Sequence, residues 1–257
     1  MPEAGDVAVL IPEDYSCAPR ALEGRNILVT GATAGIGRAA ALAYAEHGAT
    51  VLLLGRSEER LAEVYDAIEA QGAAQPAAIP FDLARDDEGG FLNLADVIGE
   101  QFDHLDGLLL NAGILGERRP LAQASWSRFQ EVMQVNVNSQ FLMLKALMPL
   151  LEAAPAASVV FTSSGVGRRG RAYWGAYAVS KFATEGLMQV AAAETENTTS
   201  LRVNALNPRA TNTAMRRSAF PGEEPQSNPD PQALMRAYLY LMDDASRAVS
   251  GVSFDAR

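Results

Sequence analysis

NILVTGATAGIGRAA, residues 26–40, runs from an apolar stretch through a glycine-rich turn into a helical pattern. Residues 26–30 read as a buried strand, and the pattern predicts a helix over 35–47, stopped by Gly48. The glycines between them are Gly31, Gly35 and Gly37. Gly31 permits a tight turn, Gly35 lets the backbone approach a pyrophosphate, and Gly37 lets the new helix pack close to the sheet. Thr33, Ala34 and Ile36 belong to the same turn. The helix N-terminus would then aim free N–H groups and its positive dipole end at phosphate. A glycine loop without a ligand is the plainer reading, but the position between the first strand and its helix is the one a dinucleotide requires.

The same alternation continues outward. Strands are predicted at 50–55, 77–83, 105–113, 158–164, 201–208 and 252–255. Helices are predicted at 57–72, 88–102, 125–153, 174–195 and 231–243. Strands apolar on both faces and separated by helices imply a parallel sheet covered on both sides, with right-handed crossovers. The expectation is one α/β domain over 25–257 behind an N-terminal extension, 1–24. It is a Rossmann fold: a doubly wound parallel sheet of about seven strands with helices on both faces. Ligands bind such sheets at the carboxyl ends of the strands.

Composition narrows the chemistry. A net charge of −10 argues against nucleic-acid binding. No apolar run reaches the ~18 residues of a membrane span, and the acidic start does not resemble a secretory signal, so a cytoplasmic protein is expected. A single cysteine and two histidines, none near a ligand signature, leave no metal site.

The strand ends carry the candidate residues. After the second strand stand Gly55, Arg56 and Ser57, with no carboxylate to hold the 2′-hydroxyl of NAD. Arg56 can bind a 2′-phosphate through its planar fork, which favours NADP(H) over NAD(H). Asp82 and Leu83 end the third strand, where the aspartate could bond an adenine amino group or cap the next turn. Asn111, Ala112 and Gly113 form a small turn after the fourth, open to a ribose.

YWGAYAVSK, residues 173–181, holds one of only two lysines in the chain. Tyr177 and Lys181 are four apart and share a helix face. The ammonium is expected to lower the phenol pKa from ~10, giving a usable acid or base. Ser163 and Ser164 finish the fifth strand, and alternation allows only one to face the site. Asn136 lies inside the long helix 125–153, where asparagine fits poorly and suggests a local distortion holding a water; Asn138 competes for that role.

Together, the glycine turn, NAG, the serine and Tyr-x-x-x-Lys resemble the classical short-chain dehydrogenases/reductases over about 25–255. MQVNVN and VFTSSGVGRRGRAYWGAYAVSKFATEG are closer still to the bacterial YciK-type subgroup. In the family the serine stands thirteen residues before the tyrosine, which selects Ser164, and the fourth catalytic position falls on Asn136. The resemblance implies hydride transfer between nicotinamide and a carbonyl or alcohol. Tyr177 would be proton donor, Ser164 the anchor of the carbonyl oxygen, Lys181 the tuner and ribose ligand, and Asn136 the holder of a relay water. Pro208 and Thr213 match cofactor-binding positions, but NPRAT carries Arg209 where the family has glycine.

Six arginines (Arg168, Arg169, Arg171, Arg209, Arg216 and Arg217) suggest a basic mouth for an anionic small-molecule substrate. Solvated loop charge is the plainer alternative. Residues 210–230 read as a lid. The family implies a homodimer or homotetramer through helices 125–153 and 174–195. Two other functions fit the same residues: an NADP(H) sensor without turnover, and a 3-oxoacyl-carrier-protein-type reductase.

Overall fold

The computed structural model describes residues 9–256. Its strands are β1 (Val9–Leu10), β2 (Asn26–Thr30), β3 (Thr50–Gly55), β4 (Ala77–Pro80), β5 (Gly107–Leu110), β6 (Ser158–Thr162), β7 (Arg202–Asn207) and β8 (Ser253–Asp255). Its α-helices are α1 (Gly35–Glu46), α2 (Glu58–Ala70), α3 (Glu88–Gly99), α4 (Trp126–Met133), α5 (Ser139–Glu152), α6 (Gly175–Thr195), α7 (Ala214–Ala219) and α8 (Met235–Met242). All strand pairs are parallel, in the order β1-β8-β7-β6-β5-β2-β3-β4.

Alternation along each strand feeds two cores. Ile27, Val29, Val51 and Leu53 face α1, α2 and α8; Leu28, Leu52, Leu54 and Leu108 face α3, α5 and α6. On α1 the contact is made by Ala39, Ala40, Ala41, Ala43 and Ala45, whose small side chains allow close approach to the sheet. Ser57 caps α2 by accepting from the Arg60 N–H, as its place three residues earlier predicts.

The structure differs from the sequence reading in four places. An eighth strand, β1, lies in the N-terminal extension and adds to the free edge of β8. Tyr15 holds that extension down, its hydroxyl donating to Asp243 at 3.0 Å and its ring meeting Tyr240 edge-on. Residues 1–8 of the extension and residue 257 lie outside the described residues. The predicted helix 125–153 is broken by a π-helical turn, Gln134–Asn138. The segment 210–230 contains α7 rather than plain loop, and the Asn212 N–H donates to the Pro229 carbonyl at 2.8 Å. Strands β4 and β5 end earlier than predicted, at Pro80 and Leu110, and β5 also begins later, at Gly107.

Candidate active site

Two clefts open along the carboxyl edge of the sheet. The first, about 490 Å³, is lined by Gly31, Thr33, Ala34, Gly35, Ile36, Arg56, Asp82, Leu83, Asn111, Ala112, Gly113 and Thr213. Gly31 and Gly35 hold φ of 67° and 53°, the left-handed region that glycine occupies without cost. Gly37 lies beneath: a Cβ there would fall 2.2 Å from the Gly31 carbonyl oxygen and 2.6 Å from Asn111 Nδ2. The turn is therefore packed from below by helix and asparagine, with its upper side left to the cleft.

Thr30 fixes the Asn111–Gly113 turn. Its hydroxyl accepts from the Asn111 and Ala112 N–H groups at 2.9 and 3.1 Å. Asp82 uses one oxygen to accept from the Ala84 N–H at 3.0 Å and the other to face Arg85 at 3.4 Å. That makes it the cap of its own turn while it still borders the cleft. Arg56 is exposed and forms no ion pair among the described residues. Arg60, which the sequence reading passed over, borders the same cleft. Its signal was available: a cation in the first turn of a helix opposes the dipole, so its place there needs another reason.

The π turn places Asn136 at 0 % exposure. Its Oδ1 accepts from the Ile114 N–H at 2.8 Å, and its Nδ2 donates to the Ile114 carbonyl at 2.9 Å and to Ser180 Oγ at 3.0 Å. The expected helix distortion is present, and Asn136 ties the exit of β5 to α6. Asn138 is exposed and only bonds Gln134 within its own helix.

Ser163 points inward, its hydroxyl donating to buried Glu185. Ser164 lines the second cleft and hydrogen-bonds Tyr177. The Lys181 ammonium is buried, 5.7 Å from the Tyr177 ring centroid, and donates to the Thr162 carbonyl at 2.7 Å. Here the structure corrects an expectation. Burial pushes the Tyr177 phenol up to about 12, the Ser164 hydrogen bond pulling only partly against it. Burial also pushes Lys181 down to about 8, against Glu185. Desolvation outweighs the ammonium's pull in this arrangement.

The second cleft, about 1100 Å³, is lined by Ser164, Arg169, Arg171, Trp174, Arg209 and Phe220 among others. The basic mouth is smaller than the arginine count implied. Arg168 turns inward to Asp255 at 2.8 Å, Arg209 reaches the same carboxylate, and Arg216 pairs with Glu223. Arg217 bonds Asn212. Arg209 adopts φ 57°, keeping the left-handed turn that glycine would favour. Its guanidinium holds Asp255 Oδ2 through Nε at 3.1 Å and an NH2 at 2.8 Å. Pro208 lines neither cleft, and its carbonyl accepts from the Thr211 hydroxyl. Thr213 caps α7 and lies against Gly35. Tyr173 is exposed and outside both clefts, whereas Trp174 is buried in the wall.

No group of histidine, cysteine and carboxylate ligands suited to a metal exists among the described residues. No helix among them is long and apolar enough to cross a membrane.

Comparison with known proteins agrees with this geometry. The short chain dehydrogenase family matches residues 25–224. The uncharacterized oxidoreductase YciK of Escherichia coli K12 is 51% identical over 236 residues, 92% of this chain and 93% of that protein. A protein from Shigella flexneri, described as a short chain dehydrogenase and solved with NADP, superposes with TM-score 0.91 at 50% identity, covering 93% of this chain and 99% of that one. One from Escherichia coli CFT073, solved with NADPH, gives 0.90 at 51% identity, covering 93% and 100%. The free Arg56 and Arg60 and the missing carboxylate after β3 suit the same cofactor. The chain belongs to the short-chain dehydrogenase family and is an NAD(P)-dependent oxidoreductase.

Proposed function

We propose that this enzyme reduces a carbonyl compound with NADPH and that Tyr177 is the proton donor. The observation that carries the reading is the Ser164–Tyr177 hydrogen bond, with buried Lys181 beside it and Ser164 in the wall of the second cleft. Thr33, Ala34, Gly35, Ile36, Asn111, Ala112, Gly113 and Thr213 would cradle NADPH, with Arg56 and Arg60 on its 2′-phosphate and Asp82 and Leu83 beside the adenine. When bound, the reduced nicotinamide supplies a hydride to the carbonyl carbon.

Ser164 would hold the carbonyl oxygen, and Tyr177 would deliver its proton to that oxygen as charge develops. The product would be an alcohol, its new C–H from the hydride and its O–H from Tyr177. Lys181 would bear on the phenolate left behind and on the ribose. Asn136 keeps the Ile114 turn and Ser180 in register below. The segment 210–230, anchored by the Asn212–Pro229 bond, would serve as the lid. Exposed Phe141, Val179, Phe182 and Val190 on α5 and α6 support assembly as a homo-oligomer through those helices.

The test is NADPH oxidation against a panel of aldehydes, ketones and oxoacyl thioesters, with Tyr177→Phe as comparison. The Phe variant should lose at least ~10²-fold in kcat and keep NADPH affinity. Equal rates would remove Tyr177 from the chemistry. Tight NADPH binding without turnover on the whole panel would favour a sensor.

A further inference from the structure

The wall of the second cleft is an aromatic pair, Trp174 and Phe220, with ring centroids 5.7 Å apart. Three guanidinium groups lie over it, of which Arg216, 3.9 Å from the Phe220 centroid, is held by Glu223. Arg118 is 4.8 Å from both centroids, and Arg171 is 5.9 Å from Trp174 and 5.7 Å from Phe220. Arg118 comes from the connection after β5 and Arg171 from the connection after β6. Two separate loops at the ligand edge thus bring like charges onto one pair of rings.

Among neighbouring arginines Arg119 faces Glu117, Arg168 and Arg209 share Asp255, and Arg216 holds Glu223, whereas Arg217 bonds Asn212 and Arg169 has no carboxylate among the described residues but lies over neither ring. Arg118 and Arg171 have none among the described residues. The ring faces attract each cation but do not neutralise two of them. Their mutual repulsion falls when an anion enters between them. The Trp174 indole N–H in the same wall is buried and has no acceptor among the described residues. A guanidinium fork suits a carboxylate or phosphate group, whose oxygens it meets two at a time.

We propose that Arg118 and Arg171 bind an anionic oxygen group of the substrate. The enzyme's substrate is then a carbonyl compound carrying a carboxylate or phosphate, placed about one aromatic ring beyond the reacting carbon. The spacing follows from the Tyr177 ring, whose centroid is 5.8 Å from that of Trp174. This inference rests on Tyr177 as the proton donor. The anionic group takes no part in the bond changes; the carbonyl gains a hydride and a proton as before.

The experiment compares kcat/KM for 4-carboxybenzaldehyde and 4-formylphenyl phosphate with that for neutral benzaldehyde. It uses the wild type and the double variant Arg118→Gln/Arg171→Gln. Taking the anionic-to-neutral ratio in each protein cancels the aldehydes' own reactivities. The ratio should fall about tenfold or more in the double variant. An unchanged ratio for both anions overturns the proposal, and a fall for one alone identifies the group.

A second measurement does not need turnover. Trp126→Phe leaves Trp174 as the one tryptophan of the chain. With NADP⁺ bound, benzoate or phenyl phosphate should give a saturable change in its emission, and benzyl alcohol should not. Adding the two Gln substitutions should abolish that change, and the single Arg171→Gln variant serves if the combined protein does not fold. No saturable response to either anion overturns the site. A response without reduction of any aldehyde would instead favour the sensor over the reductase and leave the anion site standing.

Discussion

At the scale of single residues, Tyr177 and Lys181 show how burial and charge compete. The Lys181 ammonium is 3 % exposed and is pushed down from 10.5 to about 8, while Tyr177 is pushed up to about 12. Near pH 7 the pair is a protonated phenol beside an ammonium, the state a reductase needs at the start of its cycle. The two shifts act oppositely on stability. Below about pH 8 Lys181 is charged in both folded and unfolded chains, and burying that charge costs stability. From about 8 to 10.5 the unfolded chain holds the extra proton, so this cost fades as pH rises. From about 10 to 12 the folded chain keeps the Tyr177 proton that the unfolded chain releases, so stability from this group falls as pH rises. For catalysis, kcat/KM for NADPH reports groups of the free enzyme. It should decline above about pH 8 as Lys181 loses its charge, and the residual rate of Lys181→Met should show no break there. A wild-type profile flat to pH 10 would remove the ammonium from the mechanism. The i,i+4 spacing made this pair legible in the sequence, but it carried only the charge contribution. Desolvation depends on what the rest of the chain packs around the pair, and so the direction of the tyrosine's shift was misread.

At the scale of elements, the turn after β7 joins a local strain to a distant anchor. Arg209 holds φ 57°, a conformation that costs a non-glycine residue about 1–2 kcal/mol. Its side chain is tied to Asp255, 3 % exposed, which also accepts from Arg168 and Asn207. Glycine at 209 would remove the strain and the ion pair together; alanine would remove only the ion pair. Arg209→Ala should therefore be less stable than Arg209→Gly by about 1 kcal/mol in urea unfolding. Equal stabilities would mean the turn relaxes out of the left-handed region once Asp255 is released. The glycine turn after β2 was legible because its reasons are local: three glycines between a strand and a helix. The π turn was half legible, since Asn136 signals a distortion without giving its geometry. The Arg209–Asp255 pair and the β1–β8 pairing were not legible, because each joins segments far apart in the chain through the sheet order.

At the scale of the whole molecule, cofactor binding and folding are linked. A ligand held only by the native state stabilises it by about 2.7 kcal/mol at a hundred times its Kd. The first cleft draws on the turns after β2, β3, β4 and β5 together with Thr213, so NADPH held there would span most of the sheet's carboxyl edge. Most of those contacts, the glycine turn and the Asn111–Gly113 turn among them, would meet parts that NADPH and NADH share. Arg56 and Arg60 stand apart, being cations at the rim with no carboxylate among the described residues. Their contribution should appear only with the 2′-phosphate. Thermal unfolding at equal, saturating concentrations should show a larger rise in Tm with NADPH than with NADH. In Arg56→Ala/Arg60→Ala the NADPH rise should shrink to the NADH value, the NADH rise itself being unchanged. Each charged hydrogen bond lost corresponds to about 1.5–3 kcal/mol, so NADPH affinity should weaken by tenfold or more. If the double variant keeps the full difference between the two cofactors, the 2′-phosphate is read elsewhere along the edge and these two arginines are solvated surface.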